Sequence, residues 1–249
     1  MTVAPAAGYP NASAVLDKAQ HENFPVALRV LPRSLRRRLE TIYGFARLVD
    51  VIGDEYTGDR DTALDEVEAD LDRAFAGNAE HPLLQRVTRF VRETGAPKEP
   101  FLRLIEANRL DQRKTRYESW DELAHYCTLS ANPVGELVLH AVGQATPERI
   151  RWSDDVCTAL QVAEHMQDVD EDRARGREYL PAGDLSARGR ELLASGIPLV
   201  KSLRGWGKIA VAGYVGGGLA AFDALERGGR FASGRDRLVQ TLKVLRAAR

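Results

Sequence analysis

Tyr43-Gly44-Phe45-Ala46-Arg47-Leu48-Val49-Asp50-Val51-Ile52-Gly53-Asp54 reads as the end of one long helix, and it decides the fold. Leu35, Leu39, Ile42, Ala46 and Val49 recur at helical spacing and form its expected core stripe. Pro32 is suited to open this helix, because a first turn leaves its missing N–H unmissed. At 3.6 residues per turn, Tyr43, Arg47, Asp50 and Asp54 share a strip about 60° wide, bordering the apolar stripe. A carboxylate at the edge of a core is costly unless it is paired or bound to a metal. The ordinary alternative is that Arg47 pairs with Asp50 on a solvated surface. A pair of that kind is worth about 0.3–0.5 kcal/mol, which explains little about why the strip exists.

A second stretch repeats the arrangement. In Gln167-Asp168-Val169-Asp170-Glu171-Asp172 two aspartates again stand four apart, at the end of an expected amphipathic helix from Trp152 to Asp172. Gln161, Glu164 and His165 share the polar strip with them. Ala159, Leu160, Val162, Ala163, Met166 and Val169 fill the remaining arc. Gly176 is suited to end the helix, and Pro181 prevents its return. Between them, Arg177 and Tyr179 are placed to curl over the acids. Arg177 is either a salt-bridge partner or a fork for phosphate oxygens. His165 reads as a hydrogen-bonded helix residue before it reads as a ligand. Two carboxylate pairs on two helical faces suit a hard divalent cation that carries a diphosphate.

Outward from these stretches the pattern stays helical. Further helices are expected over 13–23, 62–76, 82–93, 101–110, 120–130, 191–203, 208–227 and 235–246, with Pro133 dividing the piece after Ser130. No run of alternating β-branched residues is present. The expected fold is all-α, one helical domain from residue 13 to 249 after a frayed stretch of a dozen residues. With 249 residues and 44% of them apolar, a sizeable core is available; the formal charge of -1 excludes a general nucleic-acid binder. Two cysteines, Cys127 and Cys157, point to a reducing cytoplasm instead of a disulfide scaffold. No uncharged run reaches the roughly 18 residues of a membrane span. Gly213, Gly216, Gly217 and Gly218 follow no strand, so they read as close helix packing or room for a ligand tail, not as a nucleotide loop. The basic, amphipathic stretch from Arg235 to Arg249, with Leu238, Leu242 and Leu245 on one side, is a plain terminal helix or a contact with a membrane surface.

Four strings together carry a resemblance: His21-Glu22-Asn23-Phe24-Pro25-Val26-Ala27, Tyr43 to Asp50, Tyr126-Cys127-Thr128-Leu129-Ser130-Ala131-Asn132-Pro133-Val134-Gly135, and Gln167 through Tyr179-Leu180-Pro181. Over residues 13 to 230 the chain resembles the squalene/phytoene synthase family, and within it the hydroxysqualene-forming type of the hopanoid pathway. The resemblance implies an isoprenoid-synthase helical bundle around a central cavity. It implies Mg²⁺ held by Asp50, Asp54, Asp168 and Asp172, with Arg47 and Arg177 on diphosphate oxygens. Tyr43, Tyr126 and Tyr179 would stand by the reacting carbons. Phe24 and Ser130 would line the cavity, with Glu164 where the family has asparagine. The implied reaction is conversion of presqualene diphosphate and water to hydroxysqualene. Condensation of two farnesyl diphosphates is the alternative within the family, and a non-catalytic partner of the other pathway enzymes is the alternative outside it. The chain departs from the family pattern at Val51, where a second aspartate is usual. It also departs after Pro181, where members of this type carry several dozen further residues, including a helix that walls the pocket.

Overall fold

The computed structural model describes residues 31–249. The expectations for residues 1–12, for the helix over 13–23 and for Phe24 lie outside them. Every element among the described residues is an α-helix, as expected; the sole ladder contact is a one-pair bridge between Arg116 and Glu178. The chain divides into two compact units, one ending at Arg113 and one starting at Lys114.

The first unit holds four helices: α1 (Arg33–Glu55), α2 (Arg60–Ala76), α3 (Pro82–Thr94) and α4 (Glu99–Asp111). Pro32 caps α1, as its position suggests. Leu35, Leu39, Ile42 and Val49 are buried, but Ala46 is only half-buried; Phe45, Leu48 and Ile52 complete the core face in its place. Phe101 of α4 sits edge-on to Phe45, with centroids 5.0 Å apart and planes at 88°. Phe75 and Phe90 stand 6.2 Å from the same ring, so α1 to α4 close on one aromatic knot. Such edge-to-face pairs add about 0.5–1.5 kcal/mol each beyond their buried area. The α2–α3 turn is held by a buried acid. The Asp70 carboxylate accepts from Arg73 Nε and from the backbone N–H groups of Glu80 and His81, each at 2.8 Å.

The second unit holds α5 (Trp120–Ser130), α6 (Asn132–Ala141), α7 (Pro147–Gln167), α8 (Val169–Ala174), α9 (Leu185–Ala194), α10 (Gly196–Ser202), α11 (Gly205–Glu226) and α12 (Gly234–Ala247). Pro133 divides α5 from α6 at Ala131, as predicted. Helix α7 is the hub and packs on α5, α6, α9, α10 and α11. The span expected as one helix over 191–203 is two, because Pro198 lacks the N–H that a continuous helix needs there. Helix α11 is long and apolar enough to cross a membrane by length and composition, yet half of that span is buried against its neighbours. Two of its glycines serve the close helix packing that was one of the two expected uses. A side chain on Gly216 would overlap the Thr241 backbone of α12, and one on Gly218 would overlap Leu160; Gly213 and Gly217 face open space.

Candidate functional site

In the first unit, Tyr43, Arg47, Asp50 and Asp54 are all half-buried, at the border of the α1 core face as the spacing predicts. Arg47 is tied further along than the sequence reading allowed: its Nη2 donates to Glu55 Oε1 at 3.1 Å, two turns on. The Asp50 carboxylate receives the Asn108 carboxamide, Nδ2 to Oδ1, at 3.3 Å. Asn108 lies on α4, is buried, and also donates to Leu104 O at 3.1 Å. Its approach depends on Gly53, because a Cβ there would overlap the Asn108 side-chain oxygen. One turn on, Gln112 Nε2 donates to Gly53 O and to Asn108 O, each at 3.0 Å. Arg60 then donates to Gln112 Oε1 at 3.0 Å, to Asp54 O at 3.1 Å and to Tyr56 O at 3.0 Å. The last carbonyls of a helix have no partner within it. Here Arg60 and Gln112 satisfy three such groups and fix the end of α1 that carries Asp54. Asn108, Gln112 and Arg60 carry no signal in the local sequence, since the helical spacing that marks Asp50 does not extend across 58 residues.

A cavity of about 300 Å³ opens in this unit, lined by Arg37, Arg38, Glu40, Thr41, Arg86, Arg89, Phe90 and Glu93. None of the predicted site residues lines it.

In the second unit the acid pair is not on one continuous helix. The chain leaves α7 at Asp168, with φ −108 and ψ 17, and restarts as α8. The break turns Asp170, Glu171 and Asp172 into a first helical turn, where negative charge meets the favourable end of the dipole; at the end of an unbroken helix it would meet the unfavourable end. The spacing survives nonetheless. Asp172 N donates to Asp168 O at 2.8 Å, so the two acids stay one turn apart. Gly176, with φ 75, closes α8 as expected: Gly176 N donates to Arg173 O and Arg177 N to Asp172 O, both at 2.9 Å.

His165, placed on the polar strip by the spacing, is buried. Its Nδ1 stands 3.1 Å from Asp172 Oδ2, and its Nε2 stands 3.0 Å from Gln161 Nε2. An ionised carboxylate only accepts, so Nδ1 donates to Asp172 and Nε2 accepts from Gln161. The imidazole thereby aims one of the two acids. Tyr179 lies flat on the imidazole, with centroids 3.9 Å apart and planes at 16°. Tyr126 packs 5.2 Å from Tyr179, and Tyr117 stacks on Tyr179 at 5.5 Å. Tyr117, Tyr126 and Tyr179 are all buried and form an aromatic wall against His165, the residue that holds Asp172. Tyr117 was not legible in the sequence. It is brought alongside Tyr179 by the bridge, in which Tyr117 N donates to Glu178 O at 3.0 Å and Glu178 N donates to Thr115 O at 2.7 Å.

Other predicted positions have quieter settings. The Ser130 hydroxyl donates back to Tyr126 O at 3.1 Å. Arg177 is half-buried, and Glu164 is exposed with its carbonyl accepting from Asp168 N. Arg230, also unforeseen, reaches Asp168 Oδ1 at 2.7 Å and Glu171 Oε1 at 2.5 Å. Among the described residues no three His, Cys, Asp or Glu side chains converge as a metal cage. The donor chemistry nevertheless fits Mg²⁺, which takes hard oxygen ligands and is usually held by one or two carboxylates, water and substrate phosphate.

An all-helical chain with two DxxxD acid pairs, one of them walled by tyrosines, has the features of an isoprenoid-synthase-type protein. It belongs to the squalene/phytoene synthase family, whose model matches residues 17–189. The hydroxysqualene synthase of Rhodopseudomonas palustris is 37% identical over 193 residues, which are 74% of this chain and 65% of that protein. The hydroxysqualene synthase of Sinorhizobium fredii is 36% identical over 179 residues, 70% of this chain and 59% of that protein. The chain thus spans somewhat less than two thirds of the curated relatives it matches. The crystal structure of squalene synthase HpnC from Alicyclobacillus acidocaldarius superposes with a TM-score of 0.81 at 39% identity, covering 89% of this chain and 95% of that one. A dehydrosqualene synthase with bound ligand shares the fold, at a TM-score of 0.77 and 17% identity.

Proposed function

We propose that this chain converts presqualene diphosphate and water to hydroxysqualene and diphosphate, as an isoprenoid synthase of the hopanoid pathway. The observation that carries this reading is an aromatic cluster joined to an oriented carboxylate through one imidazole: Tyr179 stacks on His165, which holds Asp172, and Tyr117 and Tyr126 pack on Tyr179. The names of the curated relatives support the choice of product.

The chemistry divides between the two features. Diphosphate leaves with the electron pair of the C–O bond, and its charge must be neutralised as it forms. Mg²⁺ bound to the carboxylates supplies that Lewis-acid neutralisation. Asp50 and Asp54 would hold such an ion in the first unit, and Asp168 and Asp172 would do so in the second. Arg47 and Arg177 are assigned to diphosphate oxygens, where a planar fork suits them. The cyclopropylcarbinyl cation left behind needs aromatic faces, the role assigned to Tyr43, Tyr126 and Tyr179. Water adds to the cation and releases its proton to the departing diphosphate or to solvent. The balance is complete without a reductant.

The test is product analysis of the purified chain with presqualene diphosphate and Mg²⁺, in the absence of NADPH. Hydroxysqualene with one equivalent of diphosphate is expected. Consumption of farnesyl diphosphate with no turnover of presqualene diphosphate overturns the reading in favour of condensation. Unchanged diphosphate release by Asp50→Asn and Asp168→Asn overturns catalysis at the acids and leaves a binding partner of the pathway enzymes.

A lipid-like substrate calls for access from a bilayer, and α12 is built for a peripheral contact on its cytoplasmic face. Leu238, Val239 and Leu242 are exposed, and the neighbouring Phe231 is too. Arg235, Lys243, Arg246 and Arg249 are exposed around them. An apolar face interleaved with cations is complementary to an anionic lipid surface and disfavours a second copy of the same cationic face.

A further inference from the structure

Resting on the reading of Asp168 as a cation ligand, we propose that Arg230 is a built-in counter-cation that occupies Asp168 and Glu171 and competes with the divalent ion for that seat. The guanidinium meets Asp168 Oδ1 at 2.7 Å and Glu171 Oε1 at 2.5 Å, from 62 and 59 residues away. It lies over its neighbour Phe231, 4.8 Å from the ring centroid.

The loop that carries it is fastened on both sides. Before it, Gly228 N donates to Leu225 O and Gly229 N to Ala224 O, each at 2.9 Å, with Gly228 at φ 77. After it, Ala232 is buried against Ala220 and Ala224, and the Ser233 side chain caps α12. The backbone on each side is thus anchored, while the Arg230 side chain stays 44% exposed and able to leave. Asp170, Glu171 and Asp172 crowd the same turn as Asp168, so acids in the absence of metal repel one another unless a positive charge stands among them. Arg230 supplies that charge. A divalent ion that binds Asp168 through Oδ1 must displace it, because an oxygen aimed at a guanidinium is not aimed at a metal.

The consequence is measurable without turnover. In the purified chain without diphosphate, Mn²⁺ binding followed by electron paramagnetic resonance is expected to be roughly threefold to tenfold tighter in Arg230→Gln than in the parent, the range that displacing one or two exposed ion pairs corresponds to. Arg230→Lys, which keeps the charge and loses the fork, is expected to lie between them. Mn²⁺ binding that is unchanged or weaker in Arg230→Gln overturns the proposal. Asp168→Asn separates the two layers of the argument. Its loss of Mn²⁺ affinity is expected, and unaltered affinity overturns the reading of Asp168 as a ligand, whatever Arg230 does.

Discussion

The Asn108 carboxamide occupies the space where a side chain on Gly53 would begin, and from there it donates to Asp50. One glycine inside the first acidic motif therefore sets how an α4 residue holds an α1 carboxylate. Gly53→Ala is expected to destabilise the chain by about 1–3 kcal/mol, since overpacking outweighs the gain of about 1 kcal/mol that alanine brings to a helix. The double variant with Asn108→Ala is expected to recover part of that loss. Thermal unfolding of the four species checks it; a more stable Gly53→Ala shows that Asn108 moves aside freely and does not position Asp50.

The second acid pair offers a separate handle. His165→Phe keeps a flat ring on Tyr179 and removes the N–H that Asp172 accepts. Residues that orient a ligand typically contribute about tenfold to a hundredfold to metal affinity. Mn²⁺ binding to His165→Phe is expected to weaken by at least about tenfold, with a small change in melting temperature. Equal affinity in the variant removes the imidazole from any positioning role.

Local pattern carried the helices and the acids, and long-range contact carried the rest. The stripe around Asp50 is a matter of 3.6-residue periodicity, so α1 was legible to within a residue. Ala46 was misplaced from the core because periodicity ranks neighbours by angle, whereas the bulk of Phe45 and Phe101 decided which residue turned inward. The break at Asp168 was missed for a related reason. The apolar arc runs on through Val169, and the cost of acids at a helix end has no periodic signature. Asn108, Tyr117 and Arg230 were invisible because each acts on a residue about 58 to 62 positions away, and nothing in their own surroundings marks them.

Cys127 is buried and Cys157 half-buried, and loss of hydration pushes each thiol up to about 12 from an ordinary value of 9.0. Neither presents thiolate near neutrality, so a disulfide-exchange reagent at pH 8 is expected to label them only after denaturant is added. The stability consequence has a definite sign. Between pH 9 and about 12 the unfolded chain loses thiol protons that the folded chain keeps, so folding stability falls as pH rises through that window. Below pH 9 the contribution is complete. Chemical denaturation of the parent and of Cys127→Ala over pH 8 to 10.5 checks it; the parent is expected to lose stability faster, and parallel curves show that the buried thiol is not responsible.

The exposed face of α12 makes the last prediction. Leu238 is 60% exposed and Leu242 57%, one helical turn apart, and the basic residues around them face the same solvent. Each lysine or arginine at an anionic bilayer contributes about 1 kcal/mol, and the leucines add apolar insertion. The chain is expected to sediment with phosphatidylglycerol vesicles at low salt, to stay in solution with phosphatidylcholine vesicles, and to be released as salt rises and the field is screened. Leu238→Asp with Leu242→Asp is expected to abolish sedimentation while leaving the fold intact, because neither side chain is part of the core. If those substitutions instead dissociate a dimer and leave vesicle binding unchanged, the face belongs to a second copy of the chain and not to lipid.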